Sequence, residues 1–153
     1  MHKRIPMAEL SELLLLQMET GGRAQLTVTG GSMLPMLSPH RDAVELTLAD
    51  RPLKKGDIIL YRRENGAFVL HRIIALRDGA YCCSGDNQVM REPVKPEQVL
   101  ALVDGYIRKG KRRSVDGFGY RLYKTLWVAL FPVRGIYIAI RRPLGRLRRK
   151  WKK

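Results

Sequence analysis

The last third of this sequence almost lacks acidic residues. From Tyr106 to Lys153 there are 16 Lys and Arg and a single acid, Asp116, whereas Met1 to Gly105 holds 13 of each sign. The whole net charge of +15 therefore lies in one segment, and the 153 residues divide into a neutral body and a basic tail. Cysteine is scarce as well. Cys82 and Cys83 are adjacent, a spacing that rarely forms a disulfide and that makes no metal centre without further ligands. Packing on the two faces of a strand accounts for them, and free thiols agree with a reducing compartment. No metal or cofactor is expected. Long apolar runs are missing too: no stretch reaches the roughly 18 to 20 residues of a membrane-spanning helix. The basic start, Met1 to Arg4, leads into a stretch broken by Glu9, Glu12 and Glu19 with no small-residue cleavage site, which argues against a secretory signal. Histidine occurs three times, at His2, His40 and His71, so imidazole chemistry has few places to reside.

What is present reads as a mainly β fold. Pro6 and the three- and four-residue recurrence of Leu10, Leu13, Leu14 and Met18 predict a short N-terminal helix over Met7 to Met18, ended by Gly21-Gly22. From Ala24 the period becomes two, with strands expected at Gln25–Thr29, Ala43–Leu48, Asp57–Arg62, Phe68–Leu76, Ala80–Ser84 and Val99–Arg108. Asn65-Gly66 and Asp78-Gly79 supply hairpin turns. Short strands joined by tight turns predict a twisted antiparallel sheet or partly open barrel. Gly110 to Gly119 reads as a linker, followed by a basic, aromatic, amphipathic helical tail. The expected organisation is an N-terminal helix over 1–23, a β domain over 24–108 and the tail over 109–153.

Candidate chemistry begins at Gly30-Gly31-Ser32-Met33-Leu34-Pro35, a turn that offers a small hydroxyl. Its glycines permit positive φ and close approach of another chain, and Pro35 stiffens the backbone on its C-terminal side. Turns use Gly and Ser for purely local reasons too, so Ser32 needs a base within reach to become a nucleophile. His71, in the middle of an apolar strand, has the best-fixed position, although a core histidine would look the same. A carboxylate could then fix the imidazole tautomer, and Asp86 and Glu92 both qualify.

Four segments, Gly31-Ser32-Met33-Leu34-Pro35, Lys55-Gly56-Asp57-Ile58-Ile59, His71-Arg72-Ile73-Ile74 and Gly85-Asp86-Asn87, resemble in order and spacing the boxes of type I signal peptidases, which share a fold with self-cleaving SOS-type repressors. The resemblance covers about Gln25 to Gly105. It implies an all-β serine endopeptidase that binds an extended peptide or precursor protein beside strand edges. Because position 71 is His, it points to the Ser-His branch found in archaea and the endoplasmic reticulum. Ser32 would be nucleophile, His71 general base, Asp86 the group that orients it and Glu92 an additional acidic support. With an unperturbed imidazole, activity would rise near pH 6 to 7. Many signal peptidases place a hydroxyl oxyanion donor two residues before the nucleophile, where this chain has Gly30; Thr29 or a backbone N–H would have to replace it.

Family members usually carry an N-terminal membrane helix. Here the apolar and basic material is C-terminal. Trp127, Arg134, Arg141, Arg142 and Trp151 are therefore membrane-contact candidates for a peripheral anchor on anionic lipid at the cytoplasmic face, with aromatics packed on the β domain as the competing reading. A span with the active site outside is the alternative orientation, opposed by Pro132 and Arg134. The alternative function is a non-catalytic protein of this fold that binds anionic membrane or nucleic acid through its tail. About 24 residues precede the first strand, too few for a helix-turn-helix domain, so nucleic acid would be bound without sequence preference.

Overall fold

A computed structural model describes residues 15–141. Eight strands form one antiparallel sheet: β1 (Ala24–Thr27), β2 (Ala43–Thr47), β3 (Ile58–Arg62), β4 (Phe68–Arg77), β5 (Ala80–Ser84), β6 (Glu92–Val94), β7 (Val99–Arg108) and β8 (Lys111–Ser114). The order across the sheet is β1-β2-β7-β3-β4-β5-β6, with β8 also paired to β7. The mainly β expectation holds. The sheet is open, and its helices are a turn at 15–19, α1 (Phe118–Ala129) and a segment at 134–141. Most of the N-terminal helix expected over Met7 to Met18 lies outside the described residues. Its end is in place: Leu15 and Met18 pack on the core, and Gly21, at φ +79°, terminates it.

Local sequence explains most of the strand order. Asp78 and Gly79 both have positive φ and turn β4 into β5, while Gly66, at φ +83°, turns β3 into β4. These are the hairpins expected from Asn-Gly and Asp-Gly. Lys109 and Gly110 do the same between β7 and β8, so the region expected as a linker is instead a strand pair. β6 contains Pro93, which its position at the sheet edge tolerates.

β3 is buried on both faces, which is why Ile58-Ile59-Leu60-Tyr61 is a continuous apolar run rather than an alternating one. Ile58 and Leu60 join one core with Met33, Val44, Val103 and Tyr120; Ile59 and Tyr61 join a second with Ile73, Cys83 and Val94. From α1, Tyr120 joins the first core and Tyr123 packs against it. Tyr120, Val128, Phe131 and Ile138 are buried, so at least to Ile138 the basic segment packs on the rest of the domain. Among the described residues no helix is long and apolar enough to cross a membrane.

Candidate active site

Ser32 sits in a turned loop between β1 and β2, anchored by burial of Met33, Met36 and Leu37 and by a Leu37 N–H bond to the Met33 carbonyl (2.9 Å). Gly30 and Gly31 do not adopt the positive φ that their identity allows. Their use is spatial. A Cβ at Gly30 would meet nothing within 4 Å, so the absent side chain leaves open space beside the serine.

The Gly85-Asp86-Asn87 turn holds this loop from the other side. Asn87 N–H donates to the Ser32 carbonyl (2.7 Å), and Asn87 Nδ2 donates to the Gly31 carbonyl (3.3 Å). A Cβ on Gly85 would lie 2.6 Å from the Ser32 carbonyl oxygen and 3.0 Å from Ser32 Cβ, so only glycine lets the two turns touch.

Asp86 faces away from His71. Its carboxylate takes two bonds from Arg72, Nε to Oδ1 and Nη2 to Oδ2, both 2.8 Å, with both side chains fully buried. The expectation that Asp86 orients His71 is therefore corrected. His71 and Arg72 are consecutive on β4 and point to opposite faces. Ser84 pairs with Arg72 in register, so the turn that comes after β5 falls on the arginine's side. Arg72 also donates to the Gly56 carbonyl (2.9 Å) and Tyr120 hydroxyl (3.1 Å), and it reaches Met36 Sδ (3.1 Å). One guanidinium thus ties its own segment to two of the other three that carried the family resemblance, through Gly56 and Asp86, and reaches Met36 just past the end of the serine segment.

The groups around His71 come from β3 and β6. Its Nδ1 lies 3.1 Å from the Tyr61 hydroxyl, which donates to Glu92 Oε2 at 2.8 Å. Glu92 is in turn paired with Arg63 through two 2.6 Å bonds, and these hold its carboxyl below the usual carboxylate range. An ionised Glu92 only accepts, so the single Tyr61 proton is committed to it. The phenol oxygen is then free to accept from Nδ1–H of His71, which leaves Nε2 with its lone pair. Burial lowers the imidazole pKa to about 4, partly countered by the Glu92 charge 4.0 Å away. His71 is neutral at pH 7 with the basic nitrogen on Nε2.

Ser32 and His71 line one cavity of about 280 Å³, together with Thr29, Gly30, Met33 and Arg63. Among the described residues no hydrogen bond joins the two side chains. Glu92, expected as an additional support, lies 4.0 Å from His71 and meets it through Tyr61. Tyr61 and Arg63 escaped sequence reasoning: Tyr61 resembles one more apolar strand residue, and Arg63 an ordinary solvated charge. Arg72 left a better clue, since a charge inside an apolar run needs a buried partner.

The lipid-contact candidates divide. Arg134 is buried, donates to Ser84 Oγ (3.1 Å) and lies 4.0 Å from Asp86, so it does not face a bilayer. Trp127 is half-buried, stacks on Tyr123 and donates to the Asp86 carbonyl (3.1 Å). Arg141 is half-buried near the Tyr137 ring. Arg142 and Trp151 lie outside the described residues. A scan of known family models finds no match to this chain, and a search of curated proteins finds none either.

Proposed function

We propose that the chain is a serine endopeptidase that cleaves a signal, leader or precursor peptide, with Ser32 as nucleophile and His71 as general base. The observation that carries this reading is the Glu92–Tyr61–His71 arrangement, which sets the tautomer a base needs in the cavity that Ser32 lines. The resemblance of the four segments to type I signal peptidases supports the same assignment.

In the first step Ser32 Oγ attacks the scissile carbonyl carbon while its proton passes to His71 Nε2. The C–N bond then breaks, the leaving amine takes that proton, and a water activated by the same nitrogen hydrolyses the acyl-enzyme. The separation of the two side chains without substrate does not disqualify them, because such bonds commonly tighten only when substrate is present. β1 is a sheet edge and Leu26 to Thr29 line the cavity, so an extended peptide can add to that edge with its carbonyl beside Ser32.

The test is digestion of a mixed peptide library by wild type and Ser32→Ala, followed by mass spectrometry. Cleavage by wild type alone is expected; equal product from both would refute the reading. That result would leave the non-catalytic alternative, which the missing hydroxyl at Gly30 favours.

A further inference from the structure

The C-terminal helices have two unlike faces. The inner face holds the turn after β5: Tyr123 and Trp127 donate to Asp86, and Arg134 donates to Ser84. The outer face is apolar. Phe118, Leu122 and Leu126 recur every fourth residue of α1, and Leu130, Val133 and Ile136 continue the exposed series; Phe118 is 83% exposed and Ile136 65%. Of the exposed positions from 118 to 140, Arg121 alone is charged. A water-facing surface seldom presents so continuous an apolar patch. The inner-face contacts also prevent this domain from covering it by turning the helices over.

Charge selects the occupant. After Asp116 the sequence has 11 Lys and Arg and no acid, and seven of these basic residues come after Arg141, where the described residues end. A second copy would bring an equally cationic segment against the first. Nucleic acid would match the charge but leave the apolar side chains in water. An anionic bilayer answers both properties, accepting apolar side chains at the acyl boundary and basic ones among its headgroups. We infer that the outer face of residues 118–140 is a docking surface for an anionic lipid bilayer. The inference stands apart from the peptidase reading, since it uses residues that do not line the Ser32 cavity. It also replaces Trp127 and Arg134 as lipid contacts with the side chains on the opposite face.

The test uses the full chain and sedimentation with phosphatidylcholine vesicles, with and without phosphatidylglycerol. Wild type should bind the anionic vesicles, and the double variant Leu122→Glu/Ile136→Glu should bind at least about tenfold more weakly, since two apolar insertions are lost. Both positions are exposed, so an unchanged thermal midpoint should accompany the loss. The inference is overturned if wild type ignores anionic vesicles, or if the double variant binds as well as wild type, which would assign binding to the basic chain end alone. It is equally overturned if gel filtration shows a dimer that the double variant dissociates, or if duplex DNA retains both proteins better than vesicles do.

Discussion

At the scale of single residues, the unusual element is a phenol between a carboxylate and a histidine. Because Tyr61 transmits the influence of Glu92, Tyr61→Phe removes one oxygen and leaves both neighbours in place. It should lower kcat by about tenfold to a hundredfold with little change in KM, as a base held in a mixture of tautomers would. Burial sets the pH dependence. With His71 at about 4, kcat/KM should rise as pH passes 4, well below the pH 6 to 7 expected of a free imidazole. The same shift acts on stability. The unfolded chain, with a pKa near 6.5, takes up a proton between pH 6.5 and 4 that the folded chain refuses. The contribution is therefore complete above about pH 6.5 and falls by up to roughly 3 kcal/mol as the pH drops through 4. Urea midpoints across this range should move less in His71→Gln. Gly30 makes the last residue-scale prediction: the site has space for a side chain there, so Gly30→Ser should fold normally and, by restoring an oxyanion donor, raise kcat on the order of tenfold or more.

At the scale of elements, strands and turns decide which of these residues could be anticipated. The hairpins at Gly66 and Gly79 were legible because Asn-Gly and Asp-Gly announce positive φ. The hairpin at Gly110 was not, because Lys109 is an uncommon occupant of that conformation and the strand after it, Lys-Arg-Arg-Ser, is exposed and fully polar. Ser32, His71 and Glu92 were legible as chemistry-bearing types, but the choice between Asp86 and Glu92 was not. It depends on which side of β4 the turn after β5 falls and on β6 lying against β5, facts of sheet register that no local spacing records. Register also fixes the cost of breaking the core pair. Arg72→Ala would take from the buried Asp86 carboxylate its two shortest charged bonds, leaving the Tyr123 hydroxyl and the more distant Arg134, and should destabilise by about 3 kcal/mol in chemical denaturation, far more than Arg63→Ala at the half-exposed Glu92 pair.

For the whole molecule, the division into a neutral body and a basic tail describes charge better than it describes packing. Tyr120 is buried against Tyr106 and bonded to Arg72, and Phe131 and Ile138 are buried too. A chain ending at Arg108 should therefore melt well below the full-length protein, by more than about 10 °C, because it loses a core-covering layer together with the β7–β8 hairpin. Differential scanning fluorimetry of the two chains measures this directly.

Arg72 has a consequence in time as well as in space. Its partners lie 14, 16, 36 and 48 residues away along the chain, the farthest being Tyr120. Contacts of such separation close late in folding, after the local hairpins. During synthesis the serine loop emerges early, yet the guanidinium that braces its surroundings gains its last partner only when α1 has been made. A chain that has not yet reached α1 thus holds the serine loop without the last of the contacts that brace the turns around it.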